Sequence, residues 1–376
     1  MVKRALILGR GKSGLAAAEQ LRLAGYETTF AEGYDCVVTS PGLVVKSELQ
    51  LGCELLRARG VKLLAVTGSK GKSSVVKLVA EALTRSGHPA VACGNYGLPV
   101  TAVPSCGWAV VEVSSFQLET TSLADDTFEA AALLNLQADH LDRHGSLALY
   151  HTLKRRLLTM TRHSVDMSAY PTRRALRATA LFETALSALK GSYFDNEILA
   201  PNGVAAVNLL RVAGLTDDAI RAAFRAFEPL PHRMNELGVW GGMRCIDDSK
   251  ATSLSALGAA LEMCGDFEAV GGRIRLIAGG LAKGDDPNSV KECLTKWVKK
   301  VYLIGCSASG FESAWSSAVK CELCGTMARA VECAYQEAEK GDILLLSPGT
   351  ASFDQFKSFG ERGDVFAQLV QSKGKS

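Results

Sequence analysis

No apolar run in this chain approaches the ~20 residues that a membrane-crossing helix needs. The opening stretch, Met1 to Leu8, carries Lys3 and Arg4 but only four apolar residues in a row before Gly9, too few for the core of a secretory signal. Charge excess is missing as well. With 42 basic and 39 acidic side chains the formal net charge is +3, so charge gives no ground for a nucleic-acid partner or an anionic-membrane anchor. A disulfide framework is also absent: the 11 cysteines are odd in number and scattered through apolar segments. The one close pair, Cys321-Glu322-Leu323-Cys324, cannot complete a four-cysteine zinc site. These absences predict a cytoplasmic chain with buried free thiols, without nucleic acid and without membrane insertion. What is present is 47% apolar and 22% charged residues over 376 positions, a globular composition too long for one ordinary core, so two or three domains are expected.

The most informative stretch is Leu63-Leu64-Ala65-Val66-Thr67-Gly68-Ser69-Lys70-Gly71-Lys72-Ser73-Ser74. An apolar run of strand length breaks into a glycine loop, and an apolar pattern of helical period then begins at Val75, Val76, Leu78, Val79 and Leu83. Strand, loop and helix in that order form a phosphate cradle. Gly68 and Gly71 let backbone N–H groups approach phosphate oxygens, the helix end adds its positive pole, Lys72 can reach the β/γ-phosphates, and Ser73 can hold Mg²⁺. Val66 stands where the general pattern has its first glycine, which makes Thr67-Gly68 the turning element.

Residues 4 to 31 read strand, loop, helix, strand, with Gly9-Arg10-Gly11-Lys12-Ser13-Gly14 matching the dinucleotide fingerprint and Glu32 near the place of a ribose-binding acid. Only one more short strand, Asp35 to Ser40, is predicted before Pro41-Gly42, which is half of a full dinucleotide site. The same glycines suit the diphosphate of a nucleotide sugar. Further on, Trp108 to Val113 and Ala131 to Leu136 are predicted strands. The first places Glu112 near a strand's carboxyl end, and the second empties into Gln137-Ala138-Asp139-His140-Leu141-Asp142-Arg143-His144. Glu112 and His140 read as oxygen and nitrogen ligands of an ion beside the phosphates; alternatively Asp139 caps a helix and the rest are solvated. Leu147 to Ala188 reads as helical and basic, Asp195 to Pro201 as a turn-rich break, and Val204 to Phe227 as helical again, with a boundary at Pro229 and Pro231. Beyond it, strands near Met243–Ile246, Ile274–Ala278, Val301–Ile304 and Ile343–Leu346 alternate with helices, a doubly wound pattern with its ligand edge at the strand ends. Lys250, Lys283 and Ser352 there are candidates to hold an anionic substrate, or surface and capping residues.

Taken together, the cradle, Gly94-Asn95-Tyr96-Gly97-Leu98-Pro99, Glu112-Val113-Ser114-Ser115-Phe116-Gln117-Leu118-Glu119, Asp139-His140-Leu141-Asp142-Arg143-His144, Pro231-His232-Arg233, Asp247-Asp248-Ser249-Lys250-Ala251-Thr252 and Ser347 to Phe359 resemble the Mur ligases of peptidoglycan synthesis. The Ser-Ser-Phe-Gln-Leu-Glu and Ala-Ser-Phe-Asp-Gln-Phe runs resemble the branch that adds D-glutamate to UDP-N-acetylmuramoyl-L-alanine. The resemblance implies an α/β protein of three domains: a short Rossmann-like N-terminal domain holding the UDP-sugar over residues 1–60, a central P-loop ATPase-like domain holding ATP and Mg²⁺ over 61–229, and a C-terminal Rossmann-like domain taking the amino acid over 230–376. It implies an amide-forming, ATP-dependent ligase that passes through an acyl phosphate and acts as a cytoplasmic monomer.

By the same resemblance, Gly68, Ser69, Lys70, Gly71, Lys72, Ser73, Ser74, Asn202, Arg233 and Asp248 serve ATP. Ser73 and Glu112 serve one Mg²⁺ ion, while His140 and a carbamylated Lys154 serve a second; Lys72, Glu112, His140 and Lys154 form the catalytic set. Gly11, Lys12, Ser13, Glu32, Ser40 and Asn95 fall on the UDP-sugar side, and Lys250, Thr252, Lys283, Ser352 and Phe359 on the D-glutamate side. Ile198 and Leu199 depart from the family's His-Asn pair ahead of Asn202, and Lys70 stands where asparagine is common. The first domain is shorter than the family's. Three alternatives remain at this stage: another amide ligase of the superfamily, such as a folylpolyglutamate synthase; a non-catalytic relative that kept the nucleotide and sugar-nucleotide loops; and, on the first glycine loop alone, an NAD oxidoreductase.

Overall fold

A computed structural model describes residues 3–31, 45–137, 141–268, 273–282 and 284–373. The predicted strand at Asp35 to Ser40, and the candidate residues Glu32, Ser40, His140 and Lys283, lie outside the described residues. The chain forms two compact units, one of Met1–Asp195 with Leu199–Phe227, the other of Glu228–Ser376 with Asn196–Ile198. They hold three parallel-rich sheets in sequence order.

In the first unit, β1 (Lys3–Leu8) and β2 (Tyr26–Ala31) run parallel, joined by the helix Lys12–Leu23. Glycine is required in their loop: a Cβ on Gly14 would stand 2.2 Å from the Gly9 carbonyl oxygen. The second sheet holds β3 (Lys62–Thr67), β4 (Ala90–Gly94), β5 (Trp108–Glu112), β6 (Phe128–Leu133) and β7 (Thr161–Asp166), all parallel in the order β4-β5-β3-β6-β7. Alternate residues of β3 enter different cores. Leu64 and Val66 pack with Val75, Val79 and Leu83 on one face, and Leu63 and Ala65 with Leu56, Val111 and Leu157 on the other. A strand covered on both faces reads as a continuous apolar run, which is why β3 was visible in the sequence.

β7 corrects the reading of Leu147 to Ala188 as helical throughout. It is an edge strand of sequence Thr-Arg-His-Ser-Val-Asp with its middle exposed, so it lacks the apolar signature of its neighbours.

The second unit carries β8 (Asn235–Trp240), β9 (Met243–Asp247), β10 (Ile274–Gly279), β11 (Val298–Ile304), β12 (Lys320–Gly325) and β13 (Ile343–Leu346) in the order β12-β11-β10-β13-β9-β8. Only β8 is antiparallel, reached through a tight turn in which Gly241 and Gly242 have φ of 59° and 79°. β8 and β12, both at the sheet's edges, were not predicted. Of the Cys321–Cys324 pair, Cys324 groups with Glu322 and Cys333, while the Cys321 thiol turns to the Val319 carbonyl. Both Glu322 oxygens are occupied, one by the Cys333 thiol at 3.1 Å and one by Lys300 Nζ at 2.8 Å. Every described cysteine is a free thiol, and burial pushes that of Cys324 up to about 12.

A packing test follows from Gly52, in the helix Glu48–Ala58. A Cβ there would lie 2.6 Å from Val100 Cβ and 2.9 Å from the Thr101 nitrogen. Gly52→Ala is expected to cost about 1–3 kcal/mol of stability by overpacking. Urea unfolding should show a lower midpoint at unchanged slope; an unshifted midpoint would refute the close approach.

Candidate active site

β3 ends at Thr67, and the chain crosses from it to the helix Lys72–Arg85 through Gly68 and Gly71, at φ of 150° and 84°. Gly71 lies against the side chain of Asn202, whose Nδ2 a Cβ would approach to 2.2 Å. The first turn of the helix presents N–H groups of the kind that bind phosphate. Lys72 Nζ donates to the carbonyls of Gly68 at 2.8 Å and Ser69 at 3.1 Å. Lys154, buried on the helix Leu147–Arg155, donates to the same Gly68 carbonyl at 2.9 Å and lies 4.7 Å from the ring centre of Tyr150. Two lysines 82 positions apart in the chain therefore converge on one loop oxygen.

The loop is held from the neighbouring strand β6. Asn135 accepts from the Lys70 nitrogen at 2.8 Å and returns Nδ2 to the Lys70 carbonyl at 3.0 Å, while its own carbonyl takes the Ser69 N–H at 3.0 Å. The Ser69 hydroxyl is surrounded by the Gln137 nitrogen at 2.9 Å, the Gln137 carbonyl at 3.0 Å and the Tyr150 hydroxyl at 3.0 Å. Ser69 thus supports the loop from behind. Asn135, Gln137 and Tyr150 were not picked out from sequence; the one available signal was Asn135, a polar residue closing the apolar run Ala130 to Leu134.

Glu112 ends β5, paired in register with Val66 of β3, and is 2% exposed. Asn95 Nδ2 donates to its Oε1 at 2.7 Å, and the Asn95 nitrogen to its carbonyl at 2.9 Å. The structure thus joins two residues that sequence reasoning had placed on different ligands. Glu112 Oε2 has no hydrogen-bond partner among the described residues. A buried carboxylate oxygen without a donor is costly, and a hard divalent cation is the partner such an atom suits. Ser73 and Ser74, both buried, begin the helix after the loop. Gly11, Lys12 and Ser13 open the helix Lys12–Leu23 after β1.

In the second unit the strand order reverses between β10 and β13, and Gly279 N donates to the Pro348 carbonyl there at 2.9 Å. The candidates gather at these strand ends. Asp248 follows β9, accepting from the Ser347 hydroxyl at 2.9 Å and the Met234 nitrogen at 3.3 Å. Lys250 Nζ lies 4.0 Å from the ring centre of Phe359, whose carbonyl takes the Ser249 hydroxyl at 2.8 Å. Ser352 is buried and its carbonyl caps Gln355 and Phe356; Thr252 is half-buried before the helix Leu254–Glu268. Arg233 sits between His232 and Met234, the two described non-glycine residues with positive φ, 60° and 50°. His232 Nδ1 pairs with Asp247 Oδ2 at 2.6 Å. Sequence reasoning missed Arg362, which is 1% exposed and donates to Ser249, Thr350 and Ala351, tying the loops after β9 and β13 together. Desolvation draws its guanidinium down to about 10.

A phosphate loop at the carboxyl ends of a parallel sheet, with a buried carboxylate one strand away, defines a nucleoside-triphosphate-binding class of protein. The Mur ligase middle domain matches residues 66–169 and the Mur ligase glutamate ligase domain residues 232–349. The chain belongs to the Mur ligase family. It is 32% identical to the UDP-N-acetylmuramoylalanine–D-glutamate ligase of Acidobacterium capsulatum, over 98% of this chain and 96% of that protein. It is 30% identical to the enzyme of that name from Elusimicrobium minutum, over 98% of each. The first alignment spans 459 positions against the 376 residues here, so that relative has segments this chain lacks. Among solved structures, the fold resembles MurF ligase from Thermotoga maritima in complex with ADP (TM-score 0.63, 16% identity, 99% of this chain and 95% of that one) and E. coli FolC in complex with ADP (0.57, 15%, 89% and 96%). Among the described residues no helix is long and apolar enough to cross a membrane.

Burial raises the Asp248 carboxyl from its ordinary value to about 7, with its hydrogen bonds from Ser347 and Met234 opposing the shift. An acid whose folded pKa lies above its unfolded one holds its proton more tightly when folded. That contribution to stability is complete below about pH 4 and lost as pH rises through about 7. Asp248→Asn is therefore expected to gain stability relative to the unmodified protein between pH 4 and 8. Denaturant titrations at several pH values check this; a constant difference between the two proteins contradicts it.

Proposed function

We propose that this protein joins D-glutamate to UDP-N-acetylmuramoyl-L-alanine in peptidoglycan precursor synthesis, driven by ATP. The observation that carries the reading is the unpartnered, buried Glu112 oxygen one strand from a phosphate loop on which Lys72 and Lys154 converge. A carboxylate is a poor acylating agent, and bringing it to a triphosphate sets two anions together, so clustered cations at the loop fit this chemistry. The substrate carboxylate attacks the γ-phosphorus and ADP departs. The D-glutamate amine then attacks the acyl carbon, passes its proton to solvent and expels phosphate, giving the amide.

Lys72 leaves the Gly68 and Ser69 carbonyls to neutralise the β/γ-phosphates, with the first helical turn cradling their oxygens. When bound, Mg²⁺ would supply charge neutralisation at the transferred phosphoryl group, with Ser73 and Glu112 holding one ion and His140 and Lys154 a second. Carbamylation of Lys154 is part of the proposal, since a carbamate nitrogen keeps one N–H for the Gly68 carbonyl. Asn202, Arg233 and Asp248 are assigned to the nucleotide, Lys250, Thr252, Lys283, Ser352 and Phe359 to D-glutamate, and Gly11, Lys12, Ser13, Glu32, Ser40 and Asn95 to the UDP-sugar. Region 1–60 takes the UDP-sugar, 61–229 takes ATP and Mg²⁺, and 230–376 takes the amino acid, in a cytoplasmic monomer.

Phosphate release from ATP and Mg²⁺ with UDP-N-acetylmuramoyl-L-alanine is expected with D-glutamate and not with L-glutamate, L-lysine or no amino acid. Release indifferent to the amino acid would sink the ligase reading, and ATP binding without release would favour a non-catalytic relative. Lys72→Ala should lower turnover at least about 100-fold while the unfolding midpoint stays near that of the parent.

A further inference from the structure

The helix Ser115–Thr120 begins three residues after Glu112, and its first residue reaches a buried imidazole. Ser115 Oγ lies 3.0 Å from His144 Nε2, and His144 Nδ1 stands 2.8 Å from Glu119 Oε1 without forming a linear hydrogen bond. Arg143 holds the other Glu119 oxygen at 2.9 Å. The His144 side chain is fully buried between two rings, Phe116 at 5.3 Å and Tyr150 at 5.4 Å between centroids. Tyr150 in turn meets the Ser69 hydroxyl of the phosphate loop and the Lys154 ammonium. A site flanked by aromatic rings would accept phenylalanine with no polar atoms to desolvate. An imidazole hydrogen-bonded to a hydroxyl through one nitrogen, with a carboxylate beside the other, favours one arrangement of its neighbours instead. Ser115, at 2% exposure, is closed to substrate, so the Ser-His-Glu constellation does no acyl chemistry of its own.

We propose that His144 is a positioning residue: it locks the helix after Glu112 to Tyr150, and through Tyr150 fixes Ser69 and Lys154 in the conformation that accepts the nucleotide phosphates. Glu112 and the phosphate loop are thereby tied together along a route separate from their shared sheet. The proposal rests on the reading of that loop as the ATP site.

The test measures binding of a non-hydrolysable ATP analogue with Mg²⁺ by calorimetry, together with steady-state turnover, on the full chain. His144→Phe is expected to raise the analogue Kd at least fivefold and lower kcat at least tenfold, with KM for D-glutamate within twofold. His144→Gln, which restores a polar atom toward Ser115, should recover part of both losses. Tyr150→Phe removes only the hydroxyl at Ser69 and should weaken analogue binding in the same direction, which covers the case of a poorly folded His144→Phe. If His144→Phe folds and binds the analogue as the parent does, or if Tyr150→Phe leaves Kd unchanged, the positioning role is overturned. If the parent itself does not bind the analogue, it is the nucleotide reading of the loop that fails.

Discussion

The phosphate loop depends on a side chain that is not part of it. A loop that must point N–H groups at a ligand leaves its remaining backbone polar groups to be satisfied, and few neighbours can reach them without filling the site. Asn135 does so by presenting an acceptor to the Lys70 N–H and a donor to the Lys70 carbonyl, as a strand would. Its own carbonyl then fixes Ser69, and Gln137 and Tyr150 hold the Ser69 hydroxyl. The two glycines supply the left-handed turns this route demands, and the convergence of Lys72 and Lys154 on the Gly68 carbonyl follows from where that carbonyl is made to point.

Both units solve the same problem in the same way. Each gathers its candidate residues where strand order reverses, at β3 beside β6 in one and at β10 beside β13 in the other, at the carboxyl ends of the strands. The difference lies in what holds the loops. In the first unit neutral amides and hydroxyls do the work. In the second a buried arginine, Arg362, gathers the carbonyls after β9 and β13, and Gly363 beside it leaves room for His232 and Asp247, whose atoms a Cβ would approach to 2.2 and 2.7 Å. The left-handed conformations at His232 and Met234 persist because Asp247 and Asp248 hold both residues.

The central strands and the loops that follow them were legible because burial on both faces writes an unbroken apolar run, and glycine and lysine at fixed offsets mark the phosphate cradle. Edge strands were not. β7, β8 and β12 each expose a face, and their polar residues carry neither a buried-strand nor a clear helical period. The described candidate residues named by motif lie on or beside the loops at the strand ends, but the residues that support those loops left little signal of their own. Asn135 acts on Lys70 across 65 positions and His144 on Ser115 across 29, and pairings of that length leave no periodic trace. The same limit explains why Asn95 and Glu112 were assigned apart although they share a hydrogen bond.

The contact between Gly71 and Asn202 has a consequence for how the chain matures. Asn202 lies on the helix Ala200–Val212, well over a hundred residues downstream of the loop it abuts, and Asn135 and Tyr150 are also later in the chain than Ser69 and Lys70. A ribosome emits these parts in order, so the glycine loop emerges long before the residues that shape it. The loop gains its final form only when that helix has left the exit tunnel and packed. Nucleotide therefore reaches a finished cradle only on chains made at least through that helix, and growing chains carry an ATP signature in sequence before they have the site in space.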